Sequence, residues 1–333
     1  MLDRIVFRWE GNQERAGTGI VAVAHSCDRD RAETLRAELA PLLSVEGGRQ
    51  RGIVRYLLQE SGQVALITRE PVTDATGGTG TLSHVLVGSR GALRPRLCLA
   101  LGALDWVRDL PGDGASRRLA PVPRAELSRL ALQPWRRLAV RVPRVGTALA
   151  VVAAQLLRAP DRLVSVRIPE FSDGWENNGP LLVWGLCGIF GDWFGRDYWT
   201  YATYDTVDSR GLRVVCVPEW PEWRTPGAED SRLERVVLRN HPADEAQRIA
   251  DELVALFLAD PERPEELRLL FRRCPNGPEL PLQRRLAVLR QYLRMTRRSQ
   301  GSRTGTAGRD PAAGMPGRES GTAFPLGSGA SAT

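Results

Sequence analysis

The sequence of 333 residues contains no lysine, since all 46 of its basic residues are arginine. A Walker A motif requires a lysine at the β- and γ-phosphates, and a Schiff-base enzyme requires a lysine amine. The chain is therefore neither a lysine-dependent P-loop NTPase nor a Schiff-base enzyme.

Cysteine and histidine are also scarce, with five and three residues. The cysteines are widely spaced and no C-x-x-C pair occurs, so the sequence predicts neither a zinc site nor a redox pair. We expect most thiols to be buried and reduced, with Cys27 and Cys274 more exposed because they flank predicted loops. No metal site and no cofactor is predicted.

Long hydrophobic runs are absent as well. Residues 1–10 lack the apolar core of a secretory signal. The longest strongly apolar runs, residues 145–157 and 181–190, are shorter than the roughly 20 residues that a membrane span needs. These features predict a soluble, cytoplasmic protein without a membrane span.

The net charge of +7 lies almost entirely toward one end of the chain. Residues 262–298 contain ten Arg and four Glu, whereas residues 1–261 carry no net charge. A neutral body with a basic C-terminal arm is a weaker signal for nucleic-acid binding than a basic folded face.

Residues 1–122 are predicted to form an α+β domain with antiparallel strands. Runs of β-branched and aromatic residues predict its strands at residues 4–9, 19–25, 52–58, 63–69 and 82–87. Asp28 is a good N-cap for a helix over residues 29–43, which Pro41 ends or kinks. Residues 95–106 are predicted to form a short apolar helix.

Residues 123–260 alternate between strand and helix signals, which predicts an α/β domain with a mainly parallel sheet. The predicted strands are residues 138–142, 163–168, 198–204, 212–217 and, at an edge, 233–238. The predicted helices are residues 146–158, 181–190 and 242–258.

Residues 261–298 are predicted to be a basic helical segment, and residues 299–333 a disordered tail rich in Gly, Ser, Ala and Arg. Leu282, Leu286, Leu289 and Leu293 line one face of the last helix. The candidate contacts to nucleic acid or an acidic partner are Arg284, Arg285, Arg290, Arg294, Arg297 and Arg298.

Two motifs suggest an active site, and local geometry argues against both. Residues 17–22 fit the dinucleotide pattern G-x-G-x-x-A, but the residues after it favour a strand where that motif requires a helix. Ser83 and His84 are adjacent on a predicted strand, so they point to opposite faces and cannot pair as a catalytic dyad. No catalytic residue is predicted.

Two polar loops are candidates for partner or ligand contact. The first is the glycine-rich turn before the strand at residues 82–87, together with His84; its candidates are Asp74, Thr76, Gly77, Gly78, Gly80 and Thr81. The second follows the strand at residues 163–168, where ligands of parallel sheets tend to bind. Its candidates are Trp175, Glu176, Asn177 and Asn178.

Two segments resemble a known family. Residues 73–88, TDATGGTGTLSHVLVG, and residues 199–205, WTYATYD, are similar to the N-terminal and middle domains of bacterial GTPase-associated proteins of predicted NTPase-centred conflict systems. The resemblance covers about residues 1–260. It implies an adaptor that couples a separate GTPase to other components, and it supplies no catalytic residues.

Three functions therefore stay open. The first is a non-enzymatic adaptor whose partner is a GTPase or another protein of a bacterial conflict or signalling system. The second is a nucleic-acid-binding protein that uses the Arg-rich C-terminal helix. The third is a hydrolase that uses Ser83 or a cysteine with His84, which strand geometry disfavours.

Overall fold

The structure is a computed structural model. It describes residues 1–9, 19–45, 47–73, 79–106, 117–168, 178–191, 193–195, 197–208, 210–220, 232–239 and 241–304, without the side chains of Thr79, Arg117 and residues 297–304.

The N-terminal strands are antiparallel, as predicted. They are β1 (Asp3–Trp9), β2 (Val21–His25), β3 (Gly52–Leu57), β4 (Val64–Thr73) and β5 (Thr79–Gly88). β1 pairs with β2 and β5, and β4 pairs with β3 and β5. β1 with β2 and β3 with β4 are thus antiparallel pairs of consecutive strands. β2 also confirms that a strand, and not a helix, follows the G-x-G-x-x-A match, whose first two residues lie outside the described part.

The later strands pair in parallel, which confirms the predicted α/β arrangement. They are β7 (Leu163–Arg167), β8 (Tyr201–Ala202), β9 (Val214–Val217) and β10 (Leu233–Val236), after the short β6 (Arg117–Arg118). The strand order is β10-β7-β9-β8-β3-β4-β5-β1-β2-β6. The antiparallel pairing of β8 with β3 joins the two regions into one sheet. The domain boundary near residue 122 stays a prediction.

Apolar side chains lie on both faces of this sheet, since successive side chains of each strand point to opposite faces. On β4, Ala65 and Ile67 face a core that contains Leu35 and Leu39 of α1 (Arg29–Leu43). The side chain of Asp28 caps α1 by accepting from the backbone N–H of Arg31. Because both faces are covered by a core, residues 64–67 of β4 form a continuous hydrophobic run in the sequence.

The opposite face carries the other helices, which share one core with Val64 and Leu66. They are α2 (Pro95–Gly102), α3 (Leu127–Arg141), α4 (Gly146–Arg158), α5 (Gly179–Phe190), α6 (Glu245–Ala259), α7 (Glu265–Arg272) and α8 (Leu282–Thr304). α8 ends six residues beyond the predicted helical segment, and the rest of the predicted tail lies outside the described residues.

The predicted strand over residues 138–142 is wrong, because these residues end helix α3 and begin a 3₁₀ turn, Val142–Val145. Leu127, Ala131, Pro134 and Leu138 are buried at helical spacing. Val140 is 78% exposed, so its β-branched side chain does not belong to a buried strand. Of the strand predicted at residues 198–204, only β8, Tyr201–Ala202, has strand structure.

The helical stretch Arg124–Arg158 is long and apolar enough, by length and composition alone, to cross a membrane. This is weak support for a span, since 56% of its most apolar window is buried within the protein, as in a core helix. The 3₁₀ turn Val142–Val145 also divides it into α3 and α4.

Candidate functional site

Ser83 and His84 lie on β5 and face opposite sides of the sheet, as predicted. Ser83 Oγ donates to the carbonyl oxygen of Leu43 at the end of α1, at 2.5 Å. On the other side, His84 Nε2 accepts from Arg4 Nε at 2.7 Å. The His84 ring stacks on Trp106 with 4.9 Å between the ring centroids. Both polar groups thus have structural partners and cannot act on one substrate atom.

The His84 imidazole is neutral at physiological pH. It is 2% exposed, and burial, with the nearby Arg4 and Arg51 cations, lowers its pKa to about 3. Because the Arg4 Nε–H can only donate, Nε2 accepts and the ring proton belongs on Nδ1. A base of this strength is poorly matched to proton abstraction near neutral pH.

We expect the His84→Gln variant to lose part of the acid sensitivity of the wild-type protein. The pKa of His84 in the folded state, about 3, lies below the unfolded value of about 6.5. The unfolded state therefore takes up the proton first, and the free energy of unfolding falls from about pH 6.5 down to the folded pKa.

Urea unfolding at pH 7, 5 and 4 measures this effect. Between pH 5 and 4 the wild-type protein should lose up to about 1.4 kcal/mol more than the variant. Gln keeps an acceptor for Arg4 without titrating, so the variant controls for the acid response of all other groups. Identical pH profiles for the two proteins would contradict the buried, neutral state of His84.

The two described candidates of the glycine-rich loop, Gly80 and Thr81, lie on β5 and pack against neighbouring segments. A β-carbon on Gly80 would stand 2.5 Å from the carbonyl oxygen of Trp9, which explains the glycine there. Thr81 is 3% exposed, and its hydroxyl accepts from the backbone N–H of Val45. The candidates Asp74, Thr76, Gly77 and Gly78 lie outside the described residues.

The second candidate loop is described only at its last residue. Asn178 occupies the N-cap position of α5 without a side-chain capping hydrogen bond. Trp175, Glu176 and Asn177 lie outside the described residues, so contact through this loop stays a prediction.

The arginines of α8 divide into exposed and buried groups. Arg284, Arg290 and Arg294 are exposed, and Arg290 forms an ion pair with Glu245 of α6. Arg285 is only 5% exposed, and its guanidinium donates to four backbone carbonyls. Its predicted contact role is thus replaced by a structural one. The side chains of Arg297 and Arg298 lie outside the described part.

The thiols have the properties of core residues. Burial raises the pKa of Cys98 and Cys216 to about 12, and it also raises the pKa of Cys187. Cys27 is half-buried, whereas Cys274 is buried, contrary to prediction, because its segment packs against Trp193. Among the residues that the structure describes, no group of three or more His, Cys, Asp or Glu could hold a metal ion.

An open groove of about 1180 Å³ lies where α2, α3, α5 and α7 meet. We call it the arginine groove, because six of its lining residues are Arg94, Arg96, Arg124, Arg263, Arg268 and Arg272. Sequence reasoning missed it, since these residues come from three separate segments between Arg94 and Arg272. Only the fold brings them together.

Arg96 is the most buried arginine of the groove, at 8% exposure. Its guanidinium carbon lies 3.7 Å from the ring centroid of Trp184 and 4.4 Å from that of Trp135. Nη2 donates to the carbonyl oxygen of Pro261 at 2.5 Å, while Nε has no hydrogen-bond partner. Burial lowers the pKa of Arg96 to about 9, so the side chain stays cationic at pH 7.

The other five arginines of the groove are exposed, and two of the lining residues that the structure describes, Glu262 and Glu265, are acidic. Glu265 is paired with Arg268 at 2.6 Å. The apolar lining includes Leu132, which is 47% exposed, and the half-buried Trp135. The groove therefore combines an excess of positive charge with apolar contact surface.

No protein-family model, no curated protein and no solved structure matches the chain. The resemblance to GTPase-associated proteins therefore stays a prediction.

Proposed function

We propose that this protein is a non-enzymatic adaptor that binds a GTPase or another protein of a bacterial conflict or signalling system. The observation that carries the proposal is the arginine groove, which has the charge and apolar surface of a docking site. The positions of Ser83 and His84 support it, because each side chain is engaged in its own structural contact. The family resemblance supplies the class of partner.

The occupant that fits the groove is an acidic segment of the partner protein. Guanidinium groups form bidentate hydrogen bonds with carboxylates, and exposed arginines also speed association with an acidic surface. The apolar patch at Leu132 and Trp135 offers an anchor for one hydrophobic side chain of the same segment. Arginine and tryptophan are the residue types that most often dominate protein interfaces.

Affinity purification of the tagged full-length protein from its native host tests this function. We expect recovery of a GTPase, which is then purified and its affinity for the adaptor measured. The groove variant Arg94→Glu/Arg124→Glu/Arg272→Glu should bind it at least about tenfold more weakly, since it reverses three exposed charges. The matched control Arg284→Glu/Arg294→Glu on α8 should bind normally. Failure to recover a GTPase or any other protein of such a system, or equal binding of the recovered partner by the groove variant, would count decisively against the proposal.

Nucleic-acid binding through α8 is the second candidate. Arg284 and Arg294 are exposed and form no ion pair with any residue that the structure describes. The same α8 double variant tests this, with single- and double-stranded nucleic acid at low salt as probes. Point variants are needed because Leu286, Leu289 and Leu293 of α8 are buried, so deletion would expose the core. Salt-dependent binding that the double variant loses would favour this candidate.

A further inference from the structure

The start of helix α2 forms one wall of the arginine groove. Arg94 is the N-cap residue and makes no capping hydrogen bond through its side chain, and Pro95 at the next position has no backbone N–H. The first helical hydrogen bond is that from Cys98 N to Arg94 O. The N–H groups of Arg96 and Leu97 therefore have no partner within the helix. Free amides at a helix N-terminus attract anions.

The side chain of Arg96 supplies an independent sign of a missing partner. The buried Arg285 has no carboxylate partner among the described residues, but its guanidinium donates to four carbonyls. Arg96 donates to only one carbonyl and forms no ion pair with any residue that the structure describes. Its other contacts are the rings of Trp135, Trp184 and Phe257, and Nε has no hydrogen-bond partner. The rings fix the plane of the guanidinium, which prepares it to meet a planar or tetrahedral oxyanion.

A second guanidinium lies near the same helix end. Arg124 Nη2 is 3.7 Å from the point where a β-carbon would stand on Gly91, in the turn that leads into α2. Arg124 and Arg94 are both exposed and both line the groove. Arg94, Arg96 and Arg124 thus all line the groove that the first turn of α2 borders.

We propose that Arg96, with Arg94, Arg124 and the first amides of α2, forms an oxyanion subsite at this end of the groove. Its ligand is a carboxylate or phosphoryl group on the acidic segment of the partner. This inference rests on the proposed function, because it names the chemical group that the groove holds. The tryptophans exclude water beside Arg96, which strengthens the hydrogen bonds that the guanidinium makes.

Titration of the full-length protein with inorganic phosphate and with acetate tests the subsite without any partner. Chloride at matched ionic strength is the reference, and both the thermal midpoint and tryptophan fluorescence are measured. We expect a saturable response to at least one oxyanion. Saturation by phosphate alone identifies a phosphoryl site, and saturation by acetate identifies a carboxylate site; either outcome supports the subsite.

The Arg96→Met variant keeps the aliphatic stem against the tryptophans and should bind the oxyanion at least about tenfold more weakly. Arg124→Gln changes an exposed side chain, should fold normally, and should weaken binding about threefold or more. Arg124→Gln decides the outcome if Arg96→Met does not fold. Arg284→Gln is the matched control and should behave as wild type.

A wild-type response no different from chloride would overturn the subsite, as would equal binding by wild type and the deciding variant. General stabilisation by phosphate acts on all variants alike and is removed by the comparison. This result is independent of the affinity purification. A partner recovered without oxyanion binding refutes the subsite alone, whereas oxyanion binding without any recovered partner protein refutes the adaptor function alone.

Discussion

The Asp205→Asn variant is expected to lose about 3–5 kcal/mol of unfolding free energy, because it leaves a buried cation without its partner. Asp205 and Arg69 are 0% and 1% exposed, and Arg69 Nη1 lies 2.9 Å from Asp205 Oδ2. Asp205 Oδ1 also accepts from the backbone N–H groups of Thr206 and Val207. Asn can keep those two bonds through its Oδ1, but its Nδ2 group replaces the oxygen that accepts from Arg69 Nη1. The substitution therefore removes both the negative charge and the acceptor that Arg69 uses.

Urea unfolding followed by circular dichroism measures the loss, and two variants define its origin. Asp197→Asn breaks an exposed pair with Arg90, whose side chains are 49% and 43% exposed, and should change stability by no more than about 1 kcal/mol. The double variant Arg69→Met/Asp205→Asn should be more stable than Asp205→Asn, because the fully buried Arg69 cation is removed together with its partner. The other arginine paired with Asp205 is Arg210, which is 18% exposed and keeps contact with water. An Asp205→Asn effect as small as that of Asp197→Asn would contradict the buried-pair account.

This ion pair connects the two regions that the sequence separates. Arg69 lies on β4 and Asp205 lies three residues after β8, so the pair spans β3, which lies between those strands in the sheet. Arg69 also donates to the carbonyl oxygen of Tyr204. Asp205 belongs to the WTYATYD segment that carries the family resemblance. Part of that signature therefore has a structural explanation, namely the junction between antiparallel and parallel strands.

Local signals were sufficient for much of the fold. The helices α1 and α4 have the bounds that the sequence predicts, since α1 has an N-cap at Asp28 and α4 is strongly apolar. The wrong strand at residues 138–142 arose from Val140 and Val142, whose β-branched side chains outweighed the longer helical period of α3. How β8 and β3 join the sheets was beyond sequence patterns, because that pairing links positions about 150 residues apart.

The candidate site was less predictable than the fold. The sequence predicts contact residues in two polar loops and on the last helix, each a continuous segment, whereas the arginine groove is formed by residues from separate segments. Arg96 is preceded by a proline and followed by the apolar residues Leu97, Cys98 and Leu99. A charged residue at the start of an apolar helix was a usable signal, but nothing local placed Trp135 and Trp184 beside it.

The Arg285→Met variant should lose about 3–5 kcal/mol of unfolding free energy, although its neighbour Arg284 is dispensable for folding. Arg285 Nη1 donates to Leu157 O at the end of α4, at 2.5 Å. Nε and Nη2 donate to the carbonyls of Gly277, Pro278 and Leu280 at 2.7–3.0 Å. Methionine fills similar space but leaves these acceptors without their charged donor, so the cost arises from unsatisfied carbonyls and not from a cavity.

Urea unfolding and hydrogen exchange of the α8 amides separate the two arginines. Arg284→Met should stay within about 0.5 kcal/mol of wild type, because Arg284 is an exposed surface residue. Relative to wild type, Arg285→Met should increase the exchange rate of the α8 amides more than that of the β4 amides, since one of the lost bonds joins α8 to the end of α4. Equal stability of the two variants would contradict the structural role of Arg285 and would leave it a candidate contact residue. The distinction follows from spacing: Arg285 lies three residues after Leu282 and four before Leu289, on the buried side of α8.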